Sequence, residues 1–540
     1  MKKLSNGTQR MKIDNFFQAV ENIPVKVWIA FALVCRIILA ITYSTYNHPD
    51  EWYQTIEYSN LMWGKKATYS LDMFWHMRNL SWPWILSLVS RVAFLISPTS
   101  IWMQISSIQM FMVLIDFAEI LLLVKLIEKW ELNHKKLWIA FFLSSHFLLR
   151  DSTRPSQEHI SSIFFYSSVA CASFGYWFWA GLLTSLVGAT KYASGMLSAG
   201  LYFCFLIIFL RKKINFKTFL QINLGVILGI ALAGIADYVY YGIYYKSMWS
   251  YFYFLLYSGL SDKIFGHQSA IVHVKFLFSQ WKVVHFCILF TGLLLVTKQI
   301  FKKYTDYLVL LLPTSIFILG NLLMRHKEGR FITQIEIALW LILAIGLSSW
   351  KYGTKWVPRV LTMLILLNVI FSISYLPGNI TKPTFAYYQL PELIKNDNNI
   401  CAAVVIKRPL GSFFLSETVP QGFWPLGKSD DIQTAMKKLP ILWYQNTVCP
   451  IDQKVLIQTF KQDEFLTLGC EKLDTFGSYW FKCPSTILNS FLKQEVRRIF
   501  LTELQPFELP TPETPGQEMM EREYAFEKKE NLFMGSFPDW

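Results

Sequence analysis

The chain has 540 residues, 53% of them hydrophobic and 17% aromatic, with only 16% charged and a mean hydropathy of +0.33. A soluble protein of this size carries more charge and more polar surface, so the composition excludes an ordinary soluble globular protein and implies a polytopic membrane protein with a polar tail. The formal charge of +14 is not a nucleic-acid signal, because the basic residues gather in short loops between apolar runs, the pattern that sets membrane orientation.

In chain order, residues 1–24 read as a cytoplasmic N-terminus, with Lys2, Lys3, Arg10 and Lys12 ahead of the first apolar run. Twelve apolar runs follow, at about 25–44, 82–97, 101–124, 137–149, 159–175, 176–188, 194–210, 218–236, 284–300, 307–323, 332–349 and 358–376. A full crossing takes roughly 20 residues, so several runs are short, and 159–188 is either one long helix or a tight pair. The expectation is an all-α polytopic transmembrane domain over residues 25–379, with about 11–13 crossings. Three basic loops, at Arg211–Lys213 with Lys217, at Lys298 with Lys302 and Lys303, and at Lys351 with Lys355, predict the cytoplasmic side. Residues 45–81, 237–283, 324–331 and the tail then face outward. An inside N-terminus and an outside tail need an odd number of crossings, so either 82–97, interrupted by Arg91, or 137–149 is expected not to cross.

The tail from 380 to 504 alternates short apolar segments, such as Ile400–Ile406 and Val455–Phe460, and predicts a small α/β or β-rich soluble domain on the outer face. Residues 505–540 are rich in Pro and Glu and predict an extended arm. Four cysteines, Cys401, Cys449, Cys470 and Cys483, fall in this tail. They permit two disulfides in three connectivities, or none, and show no zinc spacing.

The outward loops hold the polar residues that suggest chemistry. His48-Pro49-Asp50-Glu51 directly follows the first apolar run. Pro49 suits the first turn of a helix. Such a helix would put Asp50, Gln54 and Glu57 on one face and Trp52, Ile56 and Trp63 on another, the pattern of a helix lying along a membrane surface. Two adjacent acids alone fit a solvated helix start better than a catalytic pair, and the other polar residues decide between them. The same loop carries Arg78. Asp151 through Glu158 form a second polar stretch, in which Arg154 and Glu158 are spaced for a structural ion pair. Lys191 lies between two apolar runs. Asp237 with Tyr241 and Gly242 opens the third large loop, His267 follows in it, and Arg325-His326-Lys327-Glu328-Gly329-Arg330-Phe331 is last. Asp116, inside an apolar run, suits a pair with a neighbouring helix. Ionisable groups at membrane depth are costly and default to functional candidates, and their gathering on one face is the stronger argument.

These motifs resemble glycosyltransferase family 22, the mannosyltransferases that use dolichyl-phosphate-mannose. His48–Glu51 and His326–Phe331 are the most specific pieces. Arg154 with Glu158, and Asp237 with Tyr241 and Gly242, match the family's shorter elements in the same order. Within the family, Asp50 to Gln54, with Arg78 and Pro83, look most like the enzymes that add the third mannose of glycosylphosphatidylinositol anchors. The chain departs from those enzymes after Gly266, where it reads His267-Gln268-Ser269, and at Lys191, where arginine is usual; these departures leave the acceptor open.

The resemblance implies a GT-C fold and inverting transfer of a hexose, mannose in this family, from a polyprenyl-phosphate donor to a lipid-linked glycan or glycolipid. The acceptor hydroxyl must lose a proton, which an ionised carboxylate can take. Asp50 is the expected base, with Glu51 the second candidate or an orienting group. Arg154, Lys191, His326, Lys327 and Arg330 are the expected contacts to the leaving phosphate. His48, Gln54, Arg78, Glu158, Asp237, His267 and Glu328 are expected in the acceptor site or its supporting structure. No metal ligand set stands out and no cofactor is expected beyond the lipid-phosphate sugar itself, with membrane lipids and the glycolipid acceptor as partners. The location is a multi-pass membrane protein of the endoplasmic reticulum or a bacterial inner membrane, acting on the lumenal or periplasmic face. A polytopic transporter of a lipid or sugar is the competing reading, and a non-catalytic scaffold the third. A transporter places its ionisable groups within crossings, whereas here they gather mainly in loops at one interface.

Overall fold

A computed structural model of the protein describes residues 17–42, 54–62 apart from 56, 76–96, 101–257 apart from 131, 269–324 apart from 303, then 327, 329–348, 356–380 and, in the tail, 400–406, 421–424, 454–459, 469–473 and 479–484. Each of the twelve apolar runs corresponds to a helix or a broken helix. In chain order the helices are α1 (Val25–Thr42), α2 (Glu57–Met62), α3 (Ser81–Ile96), α4 (Ile101–Lys129), α5 (Lys135–Ser144), α6 (His146–Asp151), α7 (Gln157–Phe174), α8 (Trp177–Thr190), α9 (Gly195–Leu210), α10 (Phe216–Tyr241), α11 (Lys246–Phe252), α12 (Ile271–Lys302), α13 (Tyr304–Leu323), α14 (Glu336–Ser348) and α15 (Val357–Ile380).

Local chemistry explains the breaks. Ser156 caps α7, its Oγ accepting from the His159 N–H at 3.2 Å. Gly175 ends the same helix at φ 84°, a left-handed conformation that glycine takes without a Cβ penalty. The Tyr176 N–H then donates back to the Cys171 carbonyl at 2.8 Å. Residues 159–188 are therefore a tight pair, not one helix. Ser145, in extended conformation, separates α5 from α6, so the run 137–149 is bent rather than continuous.

Five segments are long and apolar enough to cross a membrane by length and composition: Val25–Thr42, Tyr192–Leu210, Phe216–Tyr241, Phe331–Ser348 and Val357–Ser374. Shorter apolar helices lie at Trp177–Thr190, Val283–Leu294 and Leu308–Leu323. Leu294, Leu319 and Leu323 are more than half exposed, as lipid-facing side chains must be.

The chain divides into two compact units. The first comprises residues 1–43, 106–236 and 267–380. Its core is centred on α14, where Trp340 is fully buried, 4.6 Å in ring separation from Phe141 and 5.9 Å from Trp281. The Tyr166 hydroxyl ties the start of α14 to α7, accepting from the Ala338 N–H at 2.9 Å and donating to the Gln334 carbonyl at 2.9 Å. Helices α8 and α10 approach closely because glycines face each other's backbone. A Cβ on Gly181 would lie 2.0 Å from the Ile222 carbonyl oxygen, and one on Gly225 would lie 2.1 Å from that of Phe178. Such contacts let membrane helices associate where no hydrophobic drive is available.

The second unit comprises residues 44–105, 237–266 and 381–540. In it α2 packs on α3, and the Ser59 hydroxyl donates to the Pro83 carbonyl at 3.0 Å. Tyr58 and Leu80 form a small core there with Tyr240 and Tyr241. The tail contributes β1 (Ile400–Ile406), β2 (Gln421–Trp424), β3 (Lys454–Thr459), β4 (Glu471–Leu473) and β5 (Tyr479–Pro484). The sheet order is β2-β1-β3-β5-β4, with β1 parallel to both neighbours and the β3–β5 and β5–β4 pairs antiparallel. Of the three connectivities the sequence allowed, the structure contains the Cys470–Cys483 bond, which links the start of β4 to β5.

Candidate active site

In the first unit, three stretches, one of them the polar stretch Asp151–Glu158, meet at one cleft of about 530 Å³, counting the space open to solvent. Its walls come from α4 (Asp116, Glu119), from the α6–α7 junction (Leu148, Asp151, Arg154, Ser156, Glu158, His159 and Ser162) and from the start of α14 (Thr333, Glu336, Ile337). The α6–α7 junction is shaped by Pro155, which cannot continue a helix, so the backbone turns and re-enters at the Ser156 cap.

Ion pairs organise the walls. Arg36 on α1 donates through Nε to Asp116 Oδ2 at 2.6 Å, and both are buried. Arg150 makes a two-pronged contact with Asp151, at 2.7 and 2.6 Å, and Arg154 Nη1 reaches the same carboxylate at 2.9 Å. Burial works against the charge on Asp151, but the guanidiniums of Arg150 and Arg154 outweigh it and hold the carboxyl well below the usual range. Glu158 and Lys191, both buried, pair with each other, and the Lys191 ammonium lies 5.0 Å from the centre of the Phe331 ring. The turn that carries Phe331, Gly329–Ile335, is held in place by Ser194, whose hydroxyl donates to Gln334 Oε1.

Arg154, Glu158, Lys191 and the Phe331 end of the last motif thus converge, as the sequence suggests. The spacing of Arg154 and Glu158 implied that they pair as helix neighbours; among the described residues they do not. Arg154 precedes the helix, so the four-residue rule does not apply, and it binds Asp151 while Glu158 takes Lys191. Lys327 is buried with its ammonium on the Met324 carbonyl at the end of α13. Asp116 has the neighbouring-helix partner the sequence suggested. Glu119, His159 and Glu336 line the cleft, and Arg36 and Arg150 pair with its walls, but none of the five belongs to a sequence motif. The signal for Arg36 and Glu119 was present, since both interrupt long apolar runs.

The second unit holds a separate polar cluster. Asp237 accepts from Asn79 Nδ2 at 3.1 Å, from the Ser247 N–H at 2.9 Å and from the Ser247 hydroxyl at 2.5 Å. It thereby clamps the loop after α10 to the start of α3. Arg78 is buried; its carbonyl accepts from the Tyr241 hydroxyl at 3.1 Å and its guanidinium sits 5.9 Å from the Tyr251 ring centre. Gln54 is buried in a short helical turn before α2. His76 lies tilted against Tyr241, ring centres 4.6 Å apart, and burial together with the nearby Lys246 charge lowers its pKa to about 4. His48, Asp50, Glu51, His267, His326 and Glu328, and the side chain of Arg330, lie outside the described residues.

Two solved structures share the fold. One is ArnT from Cupriavidus metallidurans bound to undecaprenyl phosphate, at TM-score 0.55 and 11% identity, covering 85% of this chain and 97% of that one. The other is the apo state of the same protein, at TM-score 0.51 and 11% identity, covering 86% and 98%. No curated protein sequence matches the chain significantly. The shared fold is that of GT-C polytopic membrane proteins, and the family match makes the chain a membrane glycosyltransferase. The chain belongs to the Alg9-like mannosyltransferase family, which matches residues 27–409.

Proposed function

We propose that the protein moves mannose from a polyprenyl-phosphate-mannose donor to a lipid-linked glycan or glycolipid acceptor, inverting the anomeric centre, on the lumenal or periplasmic face of its membrane. The observation that carries this reading is that Arg154 and Glu158 line one cleft and that Glu158 holds Lys191 against the Phe331 ring, in a chain of this family. The undecaprenyl phosphate bound by a protein of the same fold supports a polyprenyl carrier.

In the reaction the acceptor oxygen forms a bond to the anomeric carbon as its proton passes to a carboxylate, Asp50 in our reading. The bond from that carbon to the phosphate oxygen breaks, and its electron pair leaves with the polyprenyl phosphate. Negative charge therefore grows on the phosphate, and cations fixed in advance stabilise the transition state more than the ground state. Asp151 and Glu158 do that fixing for Arg154 and Lys191. Glu51 orients the acceptor in this scheme, and His326 and Arg330 complete the contacts to the phosphate. Lys327, held on the Met324 carbonyl, positions the loop that carries them.

The test is transfer by purified protein in lipid vesicles. Labelled mannose presented on a polyprenyl phosphate should appear in the glycolipid fraction, whereas the same sugar on a nucleoside diphosphate should not. Label taken directly from the nucleotide sugar, or from neither donor, would refute the reading.

A further inference from the structure

Five carboxylates line the cleft: Asp116, Glu119, Asp151, Glu158 and Glu336. Asp116, Asp151 and Glu158 have a close cation, whereas Glu119 has no ion-pair partner among the described residues and Glu336 has one only at a distance. Glu119 is 3% exposed, midway along α4 and one turn beyond Asp116. Its Oε1 has no hydrogen-bond partner among the described residues. Glu336, 2% exposed at the start of α14, has an Oε1 that lies 4.0 Å from Arg150 and so beyond its hydrogen-bond reach, and the buried Trp281 side chain is another polar neighbour of this carboxyl group.

A buried carboxylate oxygen without a donor is costly, and native interiors rarely leave one. Both oxygens belong to residues that line the same cleft, so the missing donors are ones that a ligand can bring. Ser162 and Thr333 add hydroxyls to the walls, and Leu148 and Ile337 add apolar surface. Carboxylates for O–H donors beside aliphatic surface for C–H faces is the chemistry that recognises a pyranose. A metal ion fits less well, because among the described residues no group of three or more His, Cys, Asp or Glu is placed to hold one.

We propose that Glu119 and Glu336 accept hydrogen bonds from hydroxyls of the donor hexose and form the sugar-selecting subsite of this cleft. The proposal rests on the glycosyltransferase reading above for the identity of the ligand.

The test is binding, read from the concentration-dependent thermal stabilisation of full-length protein in detergent by polyprenyl-phosphate-mannose and the set of its monodeoxy analogues. In the wild type, at least one analogue should bind roughly 10- to 100-fold more weakly than the parent, the loss expected when one buried carboxyl oxygen is left without its donor. In Glu119→Gln or Glu336→Gln the parent donor should weaken by a similar factor. Removing the sensitive hydroxyl should then cost nothing further in that variant. Equal binding of all analogues to the wild type would overturn the proposal, as would the same discrimination persisting in both variants. It would also fall if calcium, magnesium or manganese chloride alone stabilised the wild type and not Glu119→Gln, or if the donor gave no stabilisation at all. Should one variant fail to fold, the wild-type analogue series and the other variant still decide. Transfer of labelled mannose is measured separately: hydroxyl discrimination without transfer would sink the transferase reading and leave the subsite standing.

Discussion

Lys191 donates to Glu158 across 33 residues of sequence, and both side chains are buried. Removing one partner leaves an uncompensated buried charge, which costs about 3–5 kcal/mol. Lys191→Met should therefore lower thermal stability sharply, and adding Glu158→Leu should recover much of the loss. Lys191→Arg should keep the pair and the contact with Phe331. Thermal unfolding of the three variants in one detergent is the measurement, and a Lys191→Met variant as stable as the wild type would remove the pair from the structural account.

Asp237 accepts three hydrogen bonds, so in this structure it is a clamp rather than a group presented to substrate. Asp237→Ala should cost on the order of 2–4 kcal/mol by orphaning the Ser247 N–H and the Asn79 amide. Turnover of the molecules that still fold should stay near normal. A folded variant with turnover reduced a hundredfold or more would place Asp237 in the chemistry instead.

The pKa of His76 drops from 6.5 in the unfolded chain to about 4 in the folded protein. Between those values the unfolded state binds more protons, so stability falls as pH is lowered through this window. The loss should be on the order of 1–3 kcal/mol by pH 4. His76→Phe keeps a ring against Tyr241 and should flatten the profile between pH 6.5 and 4. An unchanged profile in the variant would assign the acid sensitivity elsewhere.

Gly225 lies against the backbone of α8, where an added Cβ would overlap the Phe178 carbonyl. Gly225→Ala should force α8 and α10 apart at a cost of about 1–3 kcal/mol. Gly195→Ala, where a Cβ meets nothing within 4 Å, is the control and should be close to neutral. Equal melting temperatures for the two variants would count against the close approach.

Asp50→Asn keeps the shape of the side chain and removes the basic carboxylate. As the proposed base, Asp50 should cost roughly 10²–10⁴ in turnover per folded molecule when replaced, with donor binding retained. A helix-capping role predicts instead a stability loss of about 0.5–2 kcal/mol with turnover intact. Asp50→Asn with wild-type turnover would shift the role to Glu51.

The helices were legible in the sequence because their signal is local, long apolar stretches; the break at Gly175 was not, and 159–188 stayed open between one helix and a pair until the structure placed that glycine at φ 84°. Nor were the ion pairs legible. Arg36 and Asp116 are 80 residues apart, and nothing near either one names the other. The i,i+4 spacing of Arg154 and Glu158 misled for a physical reason, since Pro155 separates them from a common helix and each finds a partner elsewhere. Glu336 was hidden differently. It opens a helix, where an acidic residue is expected on dipole grounds alone, and only the fold brings it to the same cleft as Glu119.

The bond between Cys470 and Cys483 gives the tail a chemical memory of where it has been. Such bonds persist in oxidising compartments and are rare where glutathione keeps thiols reduced. Peptides spanning the two cysteines, alkylated in intact cells before lysis, will be recovered joined or separate according to the compartment the tail matured in. One mass-spectrometric measurement on whole cells therefore fixes the orientation of the C-terminal sheet, with no substrate, no assay and no antibody.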